Sequence, residues 1–571
     1  MLTIRRETAA RKRRRRAGMR TRTGGRIVVD ALRAHGCERI FTVPGESFLG
    51  LLDALYDVRE TIDVVTCRHE GGAGFMAEAS AKLTGRPGVC VVSRGPGACN
   101  AAIAVHTARQ DSTPMLLLIG QVSRPLRGRE AFQEVDHARF FAPLAKHAEE
   151  VSRAEDLPAA IARAFFTAEQ GRAGPVVLAL PEDLLREEAA VADVDTLPVD
   201  LPEPDPGLME RLHTMLGDAE RPLVIAGGGG WTERARADLA QFAGVNGLAV
   251  TCTFRRNDIL DNDHPSFVGA LGIAPDPLLV NRIRAADLVI AIGTRLGEVP
   301  TQGYTLFGPP GPTLVHVYPD GREIGRVFPA ELAIEAAVAP FMAYLARLAP
   351  IGGHRWHDWT AAARADYLAD RKPLIGSEPA AGVDLGQAMA VLDRFLSEDA
   401  IITVDAGNFS GWPHRFLRHG GGRRLLGACN GAMGYGIPAA LAAKRAFPQR
   451  EVIAFVGDGG FGMTGAELLT ALQTGAGITV LVCNNSMYGT IRMHQERRYP
   501  GRPVATALTN PSFADIARAF GAEGFLVKDT AAFAPALEAA RQSGRPAVIE
   551  IIPNAEQVST RAALASQRAT R

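Results

Sequence analysis

The chain reads as an α/β protein made of three doubly wound parallel-sheet units, the first and third alike. Three observations predict this. Short apolar runs ending in Gly, Asp or Asn alternate with Ala-rich helical stretches, the pattern of parallel strands joined by crossover helices. The 60 glycines and 36 prolines in 571 residues supply the tight turns that such units need. Two segments also share one order. "GGAGFMAEASAKLTGRPGVCVVSRGPG" (71–97) and "GAMGYGIPAALAAKRAFPQREVIAFVGDGG" (431–460) each carry a glycine-spaced helix start, an Ala-rich helix, a Val-rich strand and a glycine turn. Matched order and length favour a duplicated domain.

The elements follow in order. In the first unit (26–190), β-branched apolar runs predict strands near 39–43, 62–66, 88–93, 114–119 and 175–180. Ala- and Leu-rich stretches near 47–57, 70–84 and 97–109 predict the intervening helices. The acidic, proline-rich "VADVDTLPVDLPEPDPG" (191–207) reads as a linker. The second unit (205–350) holds "RPLVIAGGGG" (221–230), "ADLVIAIGTR" (286–295) and "TLVHVYPD" (313–320). A polar connection runs from "PIGGHRWHDW" to about residue 380. The third unit (380–555) has strands near 401–405, 451–456, 478–483 and 546–552, and a loosely held tail from Asn554.

The net charge of +1 gives no overall pull toward nucleic acid or an anionic membrane. Residues 1–26, however, hold 11 Lys or Arg against one acid, Glu7. Residues 1–25 read as a solvated, disordered basic tail, with translation from Met19 as another explanation. No apolar h-region follows the basic run, so it is not a secretory signal. No apolar run is long enough to span a membrane. Seven cysteines without a CxxC pattern imply free thiols in a cytoplasmic protein, with no cysteine-ligated metal.

Asp458 follows the apolar run "VIAFVG", and Asn485 follows "ITVLVCN". In an open parallel sheet, ligands sit beyond the carboxyl ends of the strands. If these two strands are neighbours, a carboxylate and an amide meet at that edge. Oxygen donors of this kind suit Mg²⁺, which takes its remaining ligands from phosphates and water. The amides of Gly459 and Gly460 favour an anionic phosphate. Singly, Asp458 is a turn residue, and Asn484 or Asn485 a helix N-cap. The joint pattern is that of a diphosphate–Mg²⁺ site.

"GDGG…NN" resembles the signature of thiamine diphosphate enzymes. From about 26 to 552 the chain is similar to the acetolactate synthase large-subunit family, through "RHEGGAGFMAEASAKLTGRPGVCVVSRGPG", "AFQE" (131–134), "GRAGPVVLALPED" (171–183) and "GAMGYGIP" (431–438). The resemblance implies that Asp458 and Asn485 bind Mg²⁺ by side chain and Met487 by its carbonyl. It places Ala406, Asn408 and Phe409 against the diphosphate. Gly431 would accept from the aminopyrimidine amine by its carbonyl, Met433 would be the apolar wedge that bends the cofactor, and Glu70 would face the pyrimidine N1′. As alternatives, Met433 is core packing and Glu70 a helix-start carboxylate. Gln133 matches a pocket glutamine. His106 and His137 are proton relays or structural histidines.

The resemblance also breaks in places. The family carries tryptophan where this chain has His494, lysine where it has Glu182, and glycine where it has Glu46. Pyruvate-decarboxylase relatives carry an acid at that last position, so Glu46 is either a proton donor or an exposed loop charge. Arg172 and Arg295 match positions that contact FAD, but Val299 stands where a second arginine is expected. The implied activity is thiamine diphosphate- and Mg²⁺-dependent decarboxylation of a small 2-oxo acid, with carboligation of the enamine to a second carbonyl. A non-ligating decarboxylase and a flavin-dependent oxidase are the alternatives. The implied assembly is a homodimer or homotetramer.

Overall fold

The structure is a computed structural model that describes residues 19–308, 311–351, 355–372, 381–554 and 556–561. The chain divides into two compact units, one ending at Asp200 and one beginning at Leu201.

The first unit is built on a six-stranded, all-parallel sheet. Its strands, in spatial order, are Asp63–Thr66, Arg39–Thr42, Gly88–Ser93, Met115–Gln121, Pro175–Pro181 and His147–Glu150. The central strands are buried along their whole length, which is why they read as continuous apolar runs instead of alternating ones. Helix Glu70–Thr84 ends on Gly85 at φ 72°, a left-handed stop that glycine adopts without strain.

The second unit carries two more six-stranded parallel sheets. One contains Ile401–Val404, Arg424–Leu426, Val452–Gly457, Thr479–Cys483, Glu523–Val527 and Ala547–Ile551. Numbered by position along the chain, its strands lie in the order 2-1-3-4-6-5, the same order as in the first unit. This shared topology is the structural counterpart of the sequence repeat. The other sheet, Pro222–Ala226 through Leu332–Glu335, has the order 3-2-1-4-5-6 of a Rossmann-type domain.

Three sequence expectations are corrected. Among the described residues the first element lies ahead of 26: Arg20–Thr23 pairs antiparallel with Glu188–Val191, and helix Gly24–Ala34 follows at once. Gly24 and Gly25 permit this start, because a Cβ on either would collide with the backbone of Leu184 or Gly50. Residues 1–18 lie outside the described residues. The connection after 350 contains a helix, His357–Asp370, and Trp356 before it is buried in the central core. Short strands at sheet edges, such as His147–Glu150 and Arg424–Leu426, add to those expected.

Candidate active site

In the sheet of residues 401–551 the strand order reverses between Ile401–Val404 and Val452–Gly457. Such a switch point opens a crevice beyond the carboxyl ends of the strands. The predicted diphosphate residues follow the first of these strands and Asp458 follows the second. Thr479–Cys483 pairs directly with Val452–Gly457, Cys483 opposite Gly457, so Asp458 and the Asn484–Asn485 pair close neighbouring strands.

Asp458 is buried. Its Oδ1 accepts from the Gly459 N–H at 2.9 Å and its Oδ2 from Asn510 Nδ2 at 2.9 Å. Burial pushes the carboxyl above its ordinary pKa, and these neutral donors pull it back. Among the described residues no Lys or Arg pairs with it. A buried carboxylate surrounded by neutral donors fits a divalent cation, which would supply the missing charge. Asn485 is half-buried, with its Oδ1 accepting from the Met487 N–H at 3.2 Å across a turn whose Ser486 has φ 55°.

The phosphate-side loop is tightly packed. The Phe409 ring covers Gly457, leaving no room there for a Cβ, and stacks obliquely on Phe455 at 5.6 Å. Asn408 donates its N–H to Thr490 Oγ1 at 2.9 Å. Met433 and Tyr488 crowd Gly459, where a Cβ would lie 3.1 Å from the Met433 methyl and 2.5 Å from the Tyr488 ring. Met433 therefore sits against the Asp458 turn, at the crevice.

Sequence reasoning missed a hub beneath this loop. Asp405 is fully buried and accepts from the N–H groups of Ala406 at 2.7 Å and Gly434 at 2.9 Å. Desolvation raises its pKa to about 6, against the backbone donors and the nearby Arg255. Arg255 comes from the Rossmann-type domain and bonds the carbonyls of Ala428 at 2.6 Å and Asp405 at 3.0 Å. It thereby ties Ala428, on one flank of the segment containing Gly431 and Met433, to Asp405, which holds Gly434 on the other. Asp405 ends the apolar run "AIITVD" as Asp458 ends its own, so its signal was present in the sequence.

In the first unit the switch point lies between Arg39–Thr42 and Gly88–Ser93. Glu70 opens helix Glu70–Thr84, and its Oε2 accepts from Asn100 Nδ2 at 2.9 Å. Glu46 begins the single turn Glu46–Phe48, with 71% of its side chain exposed. Helix Arg94–Asp111 gathers the three predicted residues. Its Asn100 holds Glu70, its Gly95 N–H donates to the Gln133 carbonyl at 3.0 Å, and its Arg94 pairs with Glu46 at 3.4 Å. Arg94 also donates to Glu182 at 2.7 Å. The two acids that depart from the family pattern are thus joined through one buried arginine.

The histidines separate. His137 is buried, and desolvation lowers its pKa to about 4. His106 and His494 are exposed on helices. The flavin residues are engaged elsewhere: Arg172 is buried and donates to Ser112 Oγ and the Arg109 carbonyl, while Arg295 pairs with Glu323 at 2.9 Å. Gly228 in the glycine run abuts the Gly293 carbonyl, and the Trp231 indole donates to the Gly227 carbonyl at 2.8 Å. Close backbone packing accounts for that run.

Family comparison matches residues 22–140 to the thiamine pyrophosphate enzyme N-terminal TPP binding domain, 209–345 to the central domain and 405–551 to the C-terminal TPP binding domain. The acetolactate synthase large subunit of Parasynechococcus marenigrum is 34% identical over 93% of this chain and 87% of its own. That of Corynebacterium glutamicum is 32% identical over 93% and 86%. The acetolactate synthase isozyme 2 large subunit of Escherichia coli is 30% identical over 88% and 90%. The chain therefore belongs to the thiamine pyrophosphate (thiamine diphosphate) enzyme family, and over nearly its whole length it is similar to acetolactate synthase large subunits.

Proposed function

We propose that the protein decarboxylates a small 2-oxo acid with thiamine diphosphate and Mg²⁺ and joins the resulting acyl unit to a second carbonyl compound, as an acetolactate synthase-like homo-oligomer. The observation that carries this reading is the turn pair, with buried Asp458 and half-buried Asn485 at neighbouring strand ends and, among the described residues, only neutral donors around the carboxylate.

Asp458, Asn485 and the Met487 carbonyl would hold the metal. Ala406, Asn408, Phe409, Gly459 and Gly460 would flank the diphosphate. The Gly431 carbonyl would accept from the aminopyrimidine amine, and Met433 would pack beneath the ring system. Bound thiamine diphosphate supplies the carbon nucleophile and the electron sink for loss of CO₂. Glu70, oriented by Asn100, would hold a proton at the pyrimidine N1′. Gln133 and Glu46 both contact the start of helix Arg94–Asp111, in reach of substrate by this reading.

One observation favours the non-ligating decarboxylase as a second reading. Exposed Glu46 puts a carboxylate at the crevice of the first unit. A like charge there disfavours a second 2-oxo acid as acceptor, an effect that solvent and the Arg94 pair reduce. A panel of 2-oxo acids with thiamine diphosphate and Mg²⁺, followed by CO₂ release and product mass, tests both. Condensed products support the carboligase, aldehyde alone supports the decarboxylase, and no CO₂ from any of them refutes both. Asp458→Ala should abolish Mg²⁺-dependent cofactor binding by calorimetry; unchanged affinity would remove the metal assignment.

A further inference from the structure

Beside the metal turn runs a chain of polar contacts that the proposed chemistry does not use. It starts at Glu550, a buried carboxylate on strand Ala547–Ile551. Glu550 Oε2 accepts from the Ala514 N–H at 3.0 Å and from Ser512 Oγ at 3.3 Å. Its Oε1 accepts from Asn484 Nδ2 at 2.7 Å. Asn484 Oδ1 in turn accepts from Asn510 Nδ2 at 3.0 Å, and the same Nδ2 donates to Asp458 Oδ2 at 2.9 Å.

The direction of this chain is fixed at points that cannot reverse. A backbone N–H only donates, so the Ser486 N–H, 3.2 Å from Asn484 Oδ1, sets which end of that amide is oxygen. The Asn484 NH₂ must then face Glu550. Facing Asn484 Oδ1 and a carboxylate, Asn510 must present its own NH₂. Asn510 is brought there by a strap: Tyr488 N–H donates to the Thr506 carbonyl, Leu508 N–H donates to the Ser486 carbonyl, and Met487 bridges Ala507.

We infer that Asn510 is a positioning residue for the metal centre. It locks the Asp458 carboxylate in a metal-ready orientation, and buried Glu550 supplies the acceptor at the head of the relay. Asp458 is thus held on both oxygens, by Gly459 on one and Asn510 on the other, so its rotation is prepaid before any cation arrives. This rests on the thiamine diphosphate–Mg²⁺ reading above.

The test measures thiamine diphosphate binding by calorimetry across Mg²⁺ concentrations, without substrate, and melting of the cofactor-free protein. Asn510→Ala should raise the half-saturating Mg²⁺ concentration about 10-fold or more, the usual effect of losing an outer partner of a ligand, with cofactor-free melting little changed. Glu550→Gln keeps shape, but the Ala514 N–H holds the new amide's oxygen, its NH₂ then faces the Asn484 NH₂, and the relay loses its acceptor, so the Mg²⁺ requirement should rise. In the double variant the two effects should fall short of multiplying, because they act through one chain. Unchanged Mg²⁺ dependence in Asn510→Ala, or fully multiplicative effects, overturns the relay. A large melting loss with unaltered Mg²⁺ dependence likewise overturns it, in favour of a merely structural role. If Asn510→Ala does not fold, Glu550→Gln and Asn510→Ser carry the same comparison. Absence of Mg²⁺-dependent binding by the wild type overturns the cofactor reading itself.

Discussion

Arg94 carries two burdens at once. It is buried between Glu46 and Glu182, and its backbone sits at φ 25°, outside the comfortable range of an L side chain. A non-glycine residue held there stores about 1–3 kcal/mol, which surrounding contacts must offset. The contacts here are ion pairs whose acidic partners are partly exposed and can rehydrate when the arginine goes. Arg94→Ala should therefore cost only about 1–2 kcal/mol, less than breaking a fully buried pair. Arg94→Gly loses the same ion pairs but relieves the backbone, so it should be about 1 kcal/mol more stable than Arg94→Ala. Urea unfolding at pH 7 compares them; an alanine variant as stable as the glycine variant would show that no strain is stored.

At the scale of elements, the segment holding Gly431 and Met433 has no regular structure of its own, so its shape comes from its anchors. Asp405 takes the Gly434 N–H, Thr464 Oγ1 donates to the Gly434 carbonyl at 2.9 Å, and Arg255 bonds the carbonyls at Ala428 and Asp405. Arg255→Met keeps much of the apolar stem but deprives two carbonyls of a charged donor. It should destabilise the protein by about 2–4 kcal/mol and weaken thiamine diphosphate binding in parallel. A melt and a binding isotherm check this; loss of stability with full affinity would separate the anchor from the site. The central strands of this sheet, such as Ile401–Val404 and Val452–Gly457, were legible as apolar runs, within a residue or two of their observed ends. Helix Arg94–Asp111 was not, starting three residues before the expected 97 because Arg94 and Gly95 join its first turn. Short edge strands were missed because a charged, half-exposed run such as His147–Glu150 lacks the apolar signature of a central strand.

For the whole molecule, buried titratable groups set the acid response. Burial lowers the pKa of His137 and His419 to about 4 and depresses His316 and His414. An unfolded histidine takes a proton below about 6.5, while these folded ones resist until lower pH. Their contribution to stability is therefore present above pH 6.5 and lost as pH falls toward 4. Asp405, raised to about 6 beside Arg255, works oppositely: its folded form keeps a proton that the unfolded form releases, so its contribution falls as pH rises from about 4 to 6. Four histidines against two aspartates, Asp405 and Asp458, both raised by burial, predict a net loss of stability on acidification from 6.5 to 4. Urea midpoints across that range should show it, with a smaller loss in His137→Gln and a larger one in Asp405→Asn. A second prediction at this scale rests on the proposed homo-oligomer. Glu70 belongs to the first unit and the metal turn to the second. If each site draws Glu70 from one chain and Asp458 from another, a Glu70→Gln/Asp458→Ala heterodimer has one intact site. Co-refolded mixtures should then recover part of the activity. Verified heterodimers as inactive as their parents would refute the shared site.

The sequence alone determined the parallel α/β class, the repeat behind the shared strand order, and the placing of Asp458 and Asn485 at one sheet edge. All three are written in local terms: burial on both faces makes a strand continuously apolar, and the residue after such a run lands at a sheet edge where ligands bind. That edge rule made Asp458 and Asn485 readable at a separation of 27 positions, before their strands were known to be neighbours. Only the tertiary structure decided the rest, because partners distant in sequence meet through strand order and not through periodicity. It joined Arg94 to both Glu46 and Glu182, turned Arg172 into a structural clamp within the first unit, and extended the fold back to Arg20 through pairing with residues 188–191. It also brought Asn510, an ordinary turn residue in sequence, to Asp458, because the strap from 506 to 508 crosses the metal turn. A hydrogen bond depends on tenths of an ångström between groups that no local pattern relates, and only the folded chain sets those distances.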